Sequence, residues 1–553
     1  EITAIAEYAF YDTGVRIRSV SLPDSIEKIG EGAFMECASL EKINIPASVI
    51  DFGEDVFLGC EKLAERTFEG NDVYRSENGL MLSADGSVLY LYVGGHVAEL
   101  TLPATVTTVK SGAFVYANVE KLVVPATVTD VEANAFDRSL IRELVYNAKT
   151  ATFPTEACKY ATLLKKATLG GWVTGVANAA FDGCLSLEEV VVEGDALTIG
   201  QNAFRNCSNL SEFAFEKVTS MATGAFGGAG IIRYEIPAGT DEIAPSYFSG
   251  WSKLKSVTIP ASVTTIGKNA FFGCIELESI AFEANSELIK IDETAFYNTA
   301  LKSVDLTACA NLKEIGEQAF ALCRSLTAIS FPKQLAKMGA GALKGCERLE
   351  NLTLPFAGGY SSEGFYDFFY GYALLPSYQS QLKTDKIPTD REIEEFVAAY
   401  YNDNGKAVYA AAKDAEKYKE YFSANCFGKS MLFGYIFGEE NYNDSFIANQ
   451  YASEADYYTF YIPATLKNIT VNGELITAYA FNALRGFTGT FTLTADVREM
   501  GAYAFYYNTA ITEYDLSGAV SLTALAPSAF SLNGELVKVT LPDNITAIGS
   551  EAF

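Results

Sequence analysis

One histidine, His96, and ten cysteines are the residues of this chain best suited to nucleophilic or metal chemistry. His96 follows Gly94 and Gly95 at the end of "GLMLSADGSVLYLYVGG", where Asp85-Gly86 reads as a hairpin turn. No serine or cysteine nucleophile motif accompanies it, so it reads as a surface-loop residue. Seven cysteines, Cys37, Cys60, Cys184, Cys207, Cys274, Cys323 and Cys346, fall three residues after a recurring phenylalanine or its substitute. Other copies carry Ser139, Ala229, Thr299 or Asn508 there, so the position reads as a buried site for a small side chain. Zinc needs converging ligands, and the chain has no CxxC. The pairs Cys37/Cys60, Cys184/Cys207 and Cys323/Cys346 would stand side by side pointing the same way, which suits free thiols better than disulfide geometry. "YNDNG" (401–405) lacks the acids of a calcium loop and reads as a helix end. The expectation is therefore no catalytic residue, no metal and no cofactor.

The elements that carry these residues repeat. "IGEGAFMECASLEKINIP" (29–46) returns as "IGKNAFFGCIELESIAF" (266–282) and "IGEQAFALCRSLTAISFP" (315–332). The anchor phenylalanines are mostly 22 to 25 residues apart, as at Phe10, Phe34 and Phe57 and again at Phe271, Phe296 and Phe320. A weaker copy at 153–169 places Cys158 near the anchor position. In "LEKINIP", Ile43 and Ile45 share one face, Lys42 and Asn44 the other, and Pro46 stops the ladder. "SVIDFG" then reads as a turn, and "EDVFLGC" as one helical turn that sends Phe57 and Cys60 inward. Such a unit buries its apolar side only against stacked neighbours.

This unit resembles the BspA-like class of bacterial leucine-rich repeats, whose period reads I-G-x-x-A-F-x-x-C-x-x-L-x-x-I-x-I-P. The resemblance covers about four fifths of the chain and implies a right-handed α/β, strand-rich solenoid of about 18 repeats. It also implies a secreted or cell-surface protein of a host-associated bacterium, with adhesins among its relatives and no shared active site. The expected organisation is repeats over 1–356 with a β-hairpin insertion near 71–95, an aromatic-rich insertion over 357–462, and repeats over 463–553. The chain begins inside a repeat at Glu1 and stops inside another at Phe553, so it reads as a piece of a longer protein.

A formal charge of −28 argues against phosphate backbones and anionic lipid as partners, and no apolar run is long enough to span a bilayer. The expected state is a monomer. Within the insertion, 26 of 106 residues are Tyr or Phe, against 13% aromatic for the chain. A helical hairpin is expected at 389–425: Thr389 and Glu392 form a capping box, Ile393, Phe396, Val397, Tyr400 and Tyr401 line one face, and Gly405 ends the first helix. The aromatics build the insertion's own core, form a binding patch, or do both. Candidate partner-binding residues are Tyr360, Phe365, Tyr366, Tyr370, Tyr372, Tyr435, Tyr442, Tyr457 and Tyr458. The outward positions of the strands are small and polar, a poor place for anchors. The reading is a non-enzymatic extracellular interaction protein binding a protein or glycan; the alternatives are a passive spacer presenting other domains and, last, an enzyme.

Overall fold

The computed structural model describes residues 2–12, 16–60, 62–63, 65–361, 380–383, 388–400, 429–453 and 456–553. Two compact units divide the chain: Glu1–Tyr234 with Phe248–Leu254, and Glu235–Tyr247 with Lys255–Phe553. Each is a strand-rich parallel β-solenoid whose coils are joined by ladders of backbone hydrogen bonds.

The first ladder comes from the alternating stretch. In the first unit Val97–Thr101, Val119–Val124, Glu143–Tyr146, Lys166–Leu169 and Glu189–Val192 pair in parallel. Their outward positions bring Glu99, Lys121, Glu143, Lys166 and Glu189 into one row of alternating charge. This face neutralises itself, with Lys166 and Glu189 at 2.8 Å. In the second unit the corresponding row is uncharged at Asn351, Asn468 and Thr490, joined side chain to side chain at 2.7 and 2.8 Å.

The stretch read as a turn forms a second parallel ladder of two-residue strands, as where Glu242–Ile243, Thr265–Ile266 and Lys290–Ile291 follow one another. The Ile-Gly pair belongs to it for a steric reason. A Cβ at Gly316 would stand 2.3 Å from the backbone nitrogen of Glu293 in the preceding coil, so only glycine lets the coils approach.

The Ala-Phe segment is not helical, contrary to the expectation. Left-handed residues flank the anchor two positions away on each side, as Gln318 (φ 52°) and Leu322 (φ 59°) flank Phe320. That backbone turns the N–H groups of Gln318, Phe320 and Leu322 onto the next coil's Ala340, Ala342 and Lys344 carbonyls, at 2.7 to 3.1 Å. A helix would have spent those donors on itself. The side chains consequently stack in register: Phe271, Phe296 and Phe320 are nearly parallel with centroids 5.0 and 5.2 Å apart.

The position three residues after the anchor often carries a donor as well as a small side chain. The thiols of Cys60, Cys207 and Cys346 donate to the carbonyls of Phe34, Phe181 and Phe320 in the preceding coil, at 3.0 to 3.3 Å. Asn508 and Asn533 do the same through Nδ2 to Phe481 and Phe505, at 3.0 and 3.1 Å. Nor is the position restricted to small residues. Trp251, fully buried, occupies it after Phe248, and Phe215, Phe226, Tyr234 and Phe248 itself surround its ring. Here a 3-10 turn, Phe215–Lys217, precedes a coil of small residues, Gly227, Gly228 and Gly230. In the weak copy Cys158 takes the anchor's hydrogen bond, to Ala180 at 2.7 Å, and Phe153 supplies the ring, stacking on Phe181 at 4.7 Å.

The nine described cysteines are free and buried. Burial raises Cys60 to about 12 and Cys323 to about 11, far from thiolate at neutral pH. Under native conditions Ellman's reagent is expected to modify at most the thiol of Cys426, which lies outside the described residues, and to titrate the other nine only after denaturation without reductant. Rapid native reaction of several thiols would contradict this packing.

The insertion near 71–95 is a three-stranded antiparallel meander, Tyr74–Glu77, Leu80–Ser83 and Val88–Tyr92, whose last strand continues the short ladder with Thr108–Val109. The long insertion leaves the stack of the second unit unbroken, because Asn351–Leu354 pairs directly with Asn468–Val471. Part of it joins the stack. The N–H of Leu343 donates to Ile436 at 2.8 Å, and that of Phe433 to Ala480 at 3.1 Å, so the 3-10 segment Phe433–Ile436 stands where a coil's anchor segment would be. The helix Asp390–Tyr400 starts with its capping box, the Thr389 N–H donating to Glu392 Oε2 at 2.8 Å, and buries Ile393, Phe396 and Val397. The expected second helix (406–425) and the "YNDNG" turn lie outside the described residues.

Candidate recognition surface

Residues of the long insertion form a two-stranded antiparallel hairpin, Ser445–Tyr451 with Tyr457–Pro463. Its alternation separates two faces. Ala448, Gln450, Phe460 and Ile462 point inward and are buried. Beyond the Ser445/Pro463 pair, whose Pro463 is buried, the outward face consists of three cross-strand pairs, Ile447/Tyr461, Asn449/Thr459 and Tyr451/Tyr457, with no charged residue among them. Ile447 is 56% and Tyr457 61% exposed. In the middle pair the Thr459 hydroxyl donates to Asn449 Oδ1 at 2.9 Å.

A buried polar clamp holds the hairpin against the repeats. Gln450 is fully buried; its Oε1 accepts the Gly434 N–H at 2.5 Å and its Nε2 donates to the Asn482 carbonyl at 3.0 Å. Asn482, also fully buried, accepts the Tyr451 N–H at 2.7 Å and returns a hydrogen bond to the Tyr451 carbonyl at 2.9 Å. Such a network is worth most when every member is satisfied, and it fixes the hairpin's register. Gly434 has no room for a side chain, since a Cβ there would meet the Phe460 ring at 2.4 Å.

Beside the hairpin, tyrosines from the next coils extend the surface. Tyr479 and Tyr503, each two residues before its anchor, stack at 4.8 Å. Tyr503 meets Tyr506 edge-on at 5.4 Å, Tyr506 lies 6.4 Å from Tyr451 and 5.8 Å from Tyr507, and Tyr451 lies 6.1 Å from Tyr457. The Arg485 guanidinium sits over Tyr507 at 3.9 Å. Burial raises the Tyr506 phenol above its usual value, so its hydroxyl stays neutral. The arrangement offers ring faces, ring edges and neutral donors and acceptors in one continuous patch.

The sequence-predicted tyrosines divide between this patch and the core. Tyr457 is on the outward face. Tyr458 is on the inner side, packed against Leu432, Ala452 and Phe460, as is Tyr435. Tyr360 is buried, and the Tyr442 hydroxyl donates to the Tyr461 carbonyl at 2.7 Å. Phe365, Tyr366, Tyr370 and Tyr372 lie outside the described residues. Tyr451, Tyr479, Tyr503, Tyr506 and Tyr507 were not singled out from the sequence. The available signal was "TAYAF" followed 24 residues later by "GAYAF", which puts Tyr479 and Tyr503 in register.

Two other places hold clustered polar groups. In the first unit a cavity of about 390 Å³ is lined by Glu31, Glu54 and Lys110, and Lys110 bridges Glu54 and Glu132 at 3.0 and 2.5 Å. His96 is exposed, 3.3 Å from Asn118 and 3.9 Å from Glu120. Among the described residues no three or more of His, Cys, Asp and Glu converge as metal ligands, and no helix is long and apolar enough to cross a membrane.

The BspA-type leucine-rich repeat region model, in six copies, matches residues 1–80, 90–211, 140–255, 174–290, 241–366 and 445–553. The chain belongs to the BspA-type leucine-rich repeat family. Among solved structures, this BspA-type chain is similar to a leucine-rich repeat protein from Bacteroides ovatus, at 23% identity and TM-score 0.42, covering 61% of this chain and 87% of that one. The pneumococcal vaccine antigen PcpA matches at 17% identity and TM-score 0.34, covering 51% and 87%. A leucine-rich cell surface protein from Faecalibacterium prausnitzii matches at 15% identity and TM-score 0.20, covering 85% and 94%. No curated protein matches the chain significantly.

Proposed function

We propose that this chain is a non-enzymatic interaction protein, at the cell surface or outside the cell, that holds a macromolecular partner against the tyrosine patch of its second unit. The observation that carries this reading is the uncharged outward hairpin face, clamped by fully buried Gln450 and Asn482 on a chain of net charge −28. A buried amide network that orients exposed aromatics is more than a loop needs in order to cover a core. Half-exposed tyrosines supply large rigid contact area at low entropic cost. In this reading the hairpin of the 357–462 insertion and the tyrosines of the adjoining coils together form the recognition element, and the remaining repeats are the scaffold that presents it.

The test is capture of extracellular matrix proteins and glycans by the whole immobilised chain and by a Tyr451→Ala/Tyr457→Ala/Tyr506→Ala variant. Binding weakened about tenfold or more, with an unchanged unfolding midpoint, is the expected result. A chain that captures nothing is a spacer, and capture indifferent to the three substitutions puts the site elsewhere.

A further inference from the structure

Resting on that reading, we propose that the outward hairpin face binds a neutral glycan chain, with Tyr457 and Tyr461 as stacking platforms and the Asn449/Thr459 pair as the polar contact between them. Charge points first to this class. None of the six outward residues is Asp, Glu, His, Lys or Arg, and the chain's charge of −28 disfavours polyanions such as sulfated or uronic polysaccharides. A cationic partner would find its counter-charges on carboxylates elsewhere, not here.

The order of side chains points the same way. Residues two apart on one strand stand roughly 7 Å apart on one face. Tyr457, Thr459 and Tyr461 therefore present ring, hydroxyl and ring along one line, matched across the hairpin by Tyr451, Asn449 and Ile447. Sugars show apolar C–H faces and hydroxyls that both donate and accept. In the central pair Asn449 Oδ1 is engaged by Thr459, which leaves the amide donors of Asn449 and the lone pairs of the threonine oxygen facing outward. A protein hot spot is built around an apolar anchor in a desolvated pocket. On this face the centre is polar, and the one aliphatic side chain, Ile447, stands at the end.

The test is affinity electrophoresis of the whole chain through gels containing a neutral polysaccharide (β-glucan, xylan, galactomannan or mannan) or a polyanionic control, hyaluronan. At least one neutral polysaccharide should retard the chain, hyaluronan should not, and Tyr457→Ala should weaken the retardation at least tenfold. Tyr457→Phe should keep most of it, and Asn449→Ala with Thr459→Ala should lose it without lowering the unfolding midpoint. Failure of all four neutral polysaccharides, or retardation unchanged in Tyr457→Ala, overturns the proposal. If a protein partner is then captured and lost in the same variants, the glycan class is wrong while the recognition patch stands; if no variant affects any capture, both readings fall.

Discussion

Phe204→Ala is expected to destabilise the first unit by about 3–5 kcal/mol, because it empties one rung of a continuous ring stack. Phe204 is fully buried, stacked on Phe181 at 5.2 Å and on Phe226 at 5.0 Å, with Phe213 edge-on at 5.1 Å. No neighbour can collapse into the space without breaking the ladder that holds Phe204 to Ala225. Cys207→Ala, three residues on, removes only a small side chain and one weak donor to the Phe181 carbonyl, and should cost about 1 kcal/mol. Urea unfolding followed by circular dichroism separates the two. Equal midpoint shifts would mean that the ring stack is not what holds adjacent coils together.

The second large effect is on pH dependence. Asp137 and Asp182 each follow an anchor phenylalanine and are both buried. Asp182 is held by two hydrogen bonds from Arg205, one from Nε at 3.0 Å and one from Nη2 at 2.5 Å. Asp137 has only a 3.9 Å approach from Arg138, and its Oδ1 has no hydrogen-bond partner. Burial pushes its carboxyl up from 3.8 to about 7; Arg138 and Lys159 oppose the rise, while Glu156 and Asp55 add to it. The folded chain thus keeps a proton that the unfolded chain releases. Stability from this group is full below about pH 4 and is lost as pH rises through about 7, a change of up to about 4 kcal/mol at 1.36 kcal/mol per unit. Asp137→Asn should raise the melting temperature at pH 8 and do little or slightly harm at pH 4. Asp182→Asn should lower it at both, since it strips Arg205 of its partner. A variant Asp137→Asn no more stable at pH 8 than the parent would show that the carboxylate is solvated in the folded chain.

Much of the architecture could be read from the spacing of a few residue types. A repeated "IGxxAF" with an alternating "xIxIP" determines a stacked strand solenoid, because a short apolar pattern recurring every two dozen residues has no other way to be buried. The free cysteines and the capping box at Thr389 were legible for the same reason: each depends on neighbours close in sequence or one repeat away. The surface tyrosines were only half legible. The aromatic excess of 357–462 drew attention to Tyr457, which is exposed, but it did not separate Tyr457 from Tyr360 and Tyr435, which pack inside.

Composition counts rings without saying which way they face, and that direction was decided by contacts between residues distant in sequence. Gln450 and Asn482 set the hairpin's inner face, and that choice turns Tyr451 and Tyr457 outward beside Tyr503 and Tyr506. The left-handed pair around each phenylalanine was likewise decided by the stack, since those residues accept an unfavourable backbone only because their N–H groups reach the next coil's carbonyls. Periodicity within one repeat therefore determined the ladders. Where the repeat is interrupted there is no period to extrapolate, and only the docking of the insertion onto its neighbouring coils could decide which aromatics form the core and which stay at the surface.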